Sequence, residues 1–246
     1  MSVFVIIPAA GLGTRMSAQS GGARSRPSKQ FTEIGGVPIL VHTLKKFDAV
    51  GAVTEIIIAL RKNDTESFSP RLERERLRKP VRYVEGGEHR QDSVAAALRA
   101  VKAAPNDIVL VHDAVRPFVD AEIIESVIEA AGQHGAAIAG LPAVDTVKQV
   151  DRTADGAIVV STIPRARVVM AQTPQGFQYQ VVKKAFDEAL ADGFVGTDES
   201  SLVERSGHEV AVVMGSARNI KITTPADLEL AEFYLAQEDR TPSLAG

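Results

Sequence analysis

Short apolar runs alternate with helix-period segments along this chain. VFVIIP (3–8) and TEIIIAL (54–60) are continuous and rich in β-branched residues, as strands buried on both faces are. VRYVEG (81–86), DIVLVHD (107–113), AAIAGL (136–141) and EVAVVM (209–214) read as further strands. Helical patterning fills the intervals at 38–47, 92–104, 121–133 and 179–193. A last helix is predicted over 224–237, with Thr224 as N-cap, Pro225 at the first helical position and Asp227 at the third. Repeated strand–helix units predict one α/β domain over 1–246, a mostly parallel sheet with helices on both faces.

Two segments break the alternation. Residues 17–30, SAQSGGARSRPSKQ, are small, polar and basic and read as a flexible loop. Residues 142–165 alternate apolar and polar positions around Ala154-Asp155-Gly156, which predicts a β-hairpin inserted into the α/β pattern. Such an arm has two edges to cover, and a partner subunit would cover them. The arm is therefore expected to make a homodimer.

Composition narrows the chemistry. The net charge is −3, so there is no basic surplus for binding nucleic acid. With no cysteine, thiolate catalysis and cysteine-zinc sites are excluded. The histidines lack metal-ligand spacing, and no metal centre built from side chains is expected. No apolar run reaches the roughly 20 residues of a membrane helix, and no signal-peptide pattern opens the chain. The reading is cytoplasmic, with neither membrane nor nucleic acid as partner.

The candidate chemistry starts at the first strand, which runs into Pro8-Ala9-Ala10-Gly11-Leu12-Gly13-Thr14-Arg15. A dinucleotide fingerprint needs a third glycine where Met16 stands, and the P-loop lysine pattern is absent. What remains is a glycine turn carrying Arg15, followed by Lys29; an ordinary tight turn with a surface arginine is the plainer alternative. Ligands of open α/β sheets bind at the carboxyl ends of strands. Residues there include Gly86, Gly87, Glu88, Arg90 and Ser93, then His112, Asp113 and Arg116, then Asp145, Thr146, Lys148 and Arg165, and late in the chain Thr197 and Lys221. The set is rich in cations and poor in nucleophiles, and G-x-S-x-G is missing. Cations, glycine backbone and one carboxylate suit phosphoryl or nucleotidyl transfer, which rests on positioning and charge neutralisation. Asp113 is a candidate for orienting a hydroxyl or reaching a metal, or only for capping its turn. Asp198 and Glu199 can be read as merely starting a short helix.

PAAGLGTRM, PSKQF, EGGEHRQDSV, VHDAVRP, VDTVK, TPQGF, TDES and NIKIT occur in this order between residues 8 and 223. Together they resemble the 2-C-methyl-D-erythritol 4-phosphate cytidylyltransferase family of non-mevalonate isoprenoid biosynthesis. The resemblance implies a modified Rossmann-like nucleotide-binding fold. It also implies transfer of CMP from CTP to the acceptor phosphate, with release of pyrophosphate and with Mg²⁺ on the triphosphate. Pro8, Ala9, Ala10, Gly11 and Gly13 would meet the nucleotide, with Gly87, Glu88, Ser93 and Asp113. Arg15, Lys29, Arg165 and Lys221 would be catalytic. Asp113, Arg116, Thr146, Arg165, Thr197, Lys221 and Thr223 would position the polyol phosphate. Glu88 stands where a shorter aspartate is common in the family. Alternatives are a ribitol-5-phosphate cytidylyltransferase, a sugar-1-phosphate nucleotidyltransferase using UTP or GTP, and a non-catalytic nucleotide-sensing module.

Overall fold

The computed structural model describes residues 1–11 and 28–240. Its centre is a seven-stranded sheet built from β1 (Val3–Pro8), β4 (Glu55–Leu60), β5 (Val81–Glu85), β6 (Ile108–Val111), β7 (Ala136–Pro142), β10 (Val169–Gln178) and β11 (Ala211–Met214). The order across the sheet is β11-β7-β10-β6-β1-β4-β5. β10 alone runs against its neighbours; every other pairing is parallel. This is the mostly parallel sheet the alternation predicts.

The two faces bury different side chains of the same strands, as a period of two requires. Val3, Val5 and Ile7 of β1 join Ile56 and Ile58 of β4 beneath α1 (Ile39–Ala49), α2 (Lys62–Arg74) and α4 (Ala121–His134). Phe4 and Ile6 face the other way, under α3 (Arg90–Ala100), α5 (Tyr179–Ala191) and α6 (Glu199–Arg205). In α4 the buried residues Ile123, Ile124, Val127, Ile128 and Ala131 form one helical stripe. A small hairpin of β2 (Glu33–Ile34) and β3 (Val37–Pro38) packs with α7 (Pro225–Arg240) around Ile34, Ile39, Phe118, Ile222 and Ala231. Asp227 caps α7 as its position predicts: it accepts from the Thr224 N–H at 2.7 Å and donates its own N–H to Thr224 Oγ1 at 3.3 Å.

Three elements depart from the sequence reading. α2 was not predicted: only Phe68 and Leu72 are buried, and Pro70 lies inside it. The β2–β3 hairpin is too short to leave a pattern. The third is β10, whose sequence VMAQTPQGFQ carries a proline and a glycine that argue against a central strand. Pro174 falls where the register with β7 shifts, between Ala171 and Gln175, a place that needs no ladder donor. Gly176 faces α4: a Cβ there would lie 2.7 Å from Val127 Cγ1 and 2.9 Å from Leu110 Cδ2.

The predicted arm is present as β8 (Val147–Thr153) and β9 (Gly156–Ile163), an antiparallel pair outside the main sheet. It leaves the carboxyl end of β7 and returns through β10, so it is an extended tip on one antiparallel connection. Nearly every arm residue is exposed, Val150, Ile158, Val159 and Val160 among them.

Candidate functional site

At the carboxyl ends of β1 and β6 lies an open cleft of about 300 Å³. Lining it are Pro8 at the end of β1 and Ala9, Ala10 and Gly11 after it, Lys29 and Gln30, Arg90 and Ser93 of α3, Asp113 after β6, and Lys221 and Thr223 of the late loop. The alternation of β1 explains the first wall. The strand buries both faces, Ala9 and Ala10 after it stay buried, and Gly11 is the first exposed residue of the turn. Ala9 still donates to the Ala59 carbonyl at 2.8 Å, which fixes the turn's origin. Gln30, buried, donates Nε2 to the Ala9 carbonyl at 2.6 Å. That bond seats the single 3₁₀ turn Lys29–Phe31 beside the β1 loop. Lys29 Nζ in turn donates to the Thr223 carbonyl at 2.8 Å, joining it to the late loop. The β5 loop closes in from the other side: a Cβ on Gly86 would lie 2.5 Å from Ala10 Cβ and 3.0 Å from Ser93 Oγ.

Asp113 is the electrostatic centre. It is 5% exposed and faces three cations: Arg90 Nη1 at 2.6 Å from Oδ1, Lys221 Nζ at 3.0 Å and Arg116 Nε at 3.1 Å from Oδ2. Burial alone would push its carboxyl up; Arg90, Lys221 and Arg116 outweigh that and hold it well below the usual carboxylate range. With both oxygens engaged by cations, Asp113 is an organiser of the cleft's positive charge. Arg90 also holds Glu199, 2% exposed, through Nη2 at 2.9 Å. Burial would lower the Arg90 pKa, but Glu199 and Asp113 more than reverse this, so the guanidinium stays charged.

A prediction about stability follows from these contacts. Asp113→Asn leaves the cations short of an anion, a loss of about 3 kcal/mol, at the low end of the range for broken buried pairs because Lys221 and Arg90 keep access to water. The folded pKa is depressed, so this stabilisation is present above the ordinary carboxylate value of about 3.9 and is lost as pH falls through the folded value. In urea unfolding, the gap between wild type and variant stays constant from neutral pH to about 5 and narrows below about 3.9. An equal gap at every pH contradicts this.

Of the residues singled out in the sequence, Pro8, Ala9, Ala10, Gly11, Lys29, Ser93, Asp113, Lys221 and Thr223 converge on the cleft. Arg116 is largely buried, with Nε on Asp113 and Nη1 donating to the Asn219 carbonyl at 2.7 Å. Gly87 and Glu88 lie on the turn before α3, and Thr197 just precedes α6, two residues from Glu199. Thr146 and Arg165 sit on the arm and are not among the residues lining the cleft; Arg165 Nη1 donates to the Val144 carbonyl at 2.7 Å. Gly13 and Arg15, and nearly all of the predicted 17–30 loop, lie outside the described residues. Sequence reasoning missed Gln30, read Glu199 only as the start of a short helix, and noted Arg90 only as one strand-end cation among several. Among the described residues no group of three acidic or histidine side chains could hold a metal, and no helix is long and apolar enough to cross a membrane.

Known proteins place this geometry in context. A family model described as 2-C-methyl-D-erythritol 4-phosphate cytidylyltransferase matches residues 3–237. A protein of that name from Acidobacterium capsulatum is 56% identical over 237 residues, covering 96% of this chain and 98% of that one. Another from Solibacter usitatus is 50% identical over 246 residues, covering all of both. Among solved structures, a 4-diphosphocytidyl-2C-methyl-D-erythritol synthase from Anaerococcus prevotii superposes with a TM-score of 0.79 at 34% identity, covering 96% of each chain.

Proposed function

Because the chain belongs to the 2-C-methyl-D-erythritol 4-phosphate cytidylyltransferase family, we propose that it transfers CMP from CTP to the phosphate of 2-C-methyl-D-erythritol 4-phosphate. The products are 4-diphosphocytidyl-2-C-methyl-D-erythritol and pyrophosphate, in isoprenoid precursor synthesis. The observation that carries this reading is the set of cations, Lys29, Arg90 and Lys221, gathered with Asp113 in a cleft walled by the β1 glycine turn. The whole chain works as one cytidylyltransferase domain.

The acceptor's nucleophile is a phosphate oxygen already ionised at neutral pH, so no general base is needed. The barrier the protein can lower is the repulsion between two anions. The acceptor oxygen attacks the α-phosphorus of CTP, the bond to the β-phosphate oxygen breaks, and pyrophosphate leaves with the electron pair. Lys29 and Lys221 stabilise the charge gathering at the α-phosphate, where fixed cations act without reorganising. Arg15 carries the same role. The backbone of Pro8–Gly11, with Gly13, Gly87, Glu88 and Ser93, holds the nucleoside. Asp113, Arg116, Thr197, Lys221 and Thr223 hold the acceptor side. Mg²⁺ would arrive with the CTP triphosphate and would supply charge neutralisation there; Asp113 and Glu199, committed to Arg90, Arg116 and Lys221, offer it no ready ligand.

Dimerisation through the 142–165 arm completes the site, bringing Thr146 and Arg165 to the partner's cleft. What supports this is a bare hairpin that is marginal in water on its own. At its base Val169 and Met170 of β10 and Val212 and Met214 of β11 are likewise exposed. A two-fold dimer would cover both arms.

Nucleotide choice tests the reading. The slot between Ala10 and the β5 loop leaves no room for a Cβ at Gly86, and a purine is expected to overfill it where a pyrimidine would not. Product formation, followed by phosphorus NMR, is expected to favour CTP over ATP and GTP by ~10²-fold or more in kcat/KM. Comparable values for GTP and CTP would refute the base pocket.

A further inference from the structure

The reaction just described gives no task to α7, yet the first turn of this helix stands directly behind Thr223 at the cleft. Asp227 Oδ2 receives the Thr223 N–H at 2.8 Å, the Thr223 hydroxyl at 2.9 Å and the Thr224 N–H at 2.7 Å. A carboxylate only accepts, so the Thr223 hydroxyl must donate. Burial would raise the Asp227 carboxyl, but the Thr223 and Thr224 donors outweigh it and hold it below its ordinary value. The group is therefore ionised at neutral pH, and the three bonds are charge-assisted. A capping box accounts for the Thr224 bond alone; the two bonds to Thr223 go beyond what the helix needs.

Thr223 passes the restraint on to Lys29. The Thr223 carbonyl and the Thr224 N–H belong to one planar peptide unit and point opposite ways when it is trans. Asp227 grips the N–H, and on the other side the carbonyl accepts from Lys29 Nζ at 2.8 Å. An ammonium has three donors, and a fixed carbonyl that takes one limits where the others point. The helix is itself anchored: Ala231 is buried in one cluster with Ile34, Ile39, Phe118 and Ile222. It also holds the hairpin that follows the Lys29 turn, where the Gly35 N–H donates to Glu232 Oε1 at 3.1 Å. Lys221 does not depend on Asp227: its ammonium is on Asp113 at 3.0 Å, and the next residue, Ile222, donates its N–H to the Val115 carbonyl at 2.9 Å.

We propose that Asp227, which does not line the cleft, is a positioning residue for Lys29: by clamping the Thr223–Thr224 peptide it sets where the lysine ammonium stands as charge gathers at the α-phosphate. The proposal rests on the reading that Lys29 serves that transition state. Asp227 then acts on turnover only through Lys29, which a helix cap of purely structural value would not do.

The test is a double-mutant cycle. Asp227→Ala and Asp227→Asn, which keeps an oxygen acceptor, are made in the wild type and in Lys29→Ala. Turnover at saturating CTP and 2-C-methyl-D-erythritol 4-phosphate is normalised to the folded fraction. Asp227→Ala is expected to lose about tenfold in kcat, the scale of one hydrogen bond to a charged group, and Asp227→Asn to recover most of it. Beside Lys29→Ala, Asp227→Ala is expected to add no further loss, because the group it positions is gone. If Asp227→Ala does not fold, Asp227→Glu runs the same cycle, since it keeps the capping box and displaces the carboxylate by one methylene. Full turnover in the displaced or truncated variant overturns the proposal, as does no recovery in Asp227→Asn. Equal losses in both backgrounds reduce Asp227 to a structural cap and overturn it too. Lys29→Ala without a loss of its own removes the transition-state reading of Lys29, and the proposal with it.

Discussion

Lys29→Ala lowers turnover by ~10²–10³-fold, the loss usual for one preorganised electrostatic donor, and leaves the protein folded. Lys29 opens a short 3₁₀ turn at the cleft and belongs to none of the three hydrophobic clusters. Its neighbour Gln30 anchors that turn to the Ala9 carbonyl, so the lysine stem starts from a fixed point at the end of β1. Its ammonium rests on the Thr223 carbonyl, in a cleft shared with Lys221. A group held this way does not reorganise when charge gathers at the α-phosphate, which is why its loss falls on turnover more than on CTP binding. Single-turnover kinetics with saturating CTP would show it. A variant within about threefold of wild-type turnover removes Lys29 from the transition state.

Mixing two inactive variants, Lys29→Ala and Arg165→Ala, restores activity. Lys29 lines the cleft and Arg165 belongs to the arm, whose residues are not among those lining that cleft. If each arm serves the partner's site, a heterodimer holds one site with both defects and one with neither. Random pairing then returns about a quarter of all sites to full function. If Arg165 acts within its own subunit, every heterodimer site keeps one defect. Activity assayed after subunit exchange, with heterodimers verified by tagged copies, separates the two; no recovery rules out the shared site.

How far the sequence can be read depends on whether a feature is local. β1 and β4 announce themselves as apolar runs because both faces are buried, and α7 does so through Thr224, Pro225 and Asp227 within four residues. β10 hides because Pro174 and Gly176 answer tertiary demands, a register shift and the close approach of α4. α2 hides because a surface helix with two buried residues has almost no stripe to detect. In the site, the glycine turn and Lys29 are legible in order along the chain. The Arg90–Glu199 pair is not: its partners are 109 positions apart, and only folding reveals that Glu199 is buried.

The acceptor decides between the proposed reaction and its nearest alternative, and pyrophosphate release measures it most directly. With CTP and Mg²⁺ held constant, 2-C-methyl-D-erythritol 4-phosphate and ribitol 5-phosphate are supplied in turn to the wild-type protein. The expected result is rapid release with the methylerythritol phosphate and a kcat/KM lower by ~10²-fold or more with ribitol phosphate, the discrimination available to a site with matched polar groups. Equal or faster release with ribitol 5-phosphate, or none with either acceptor, contradicts the proposed function.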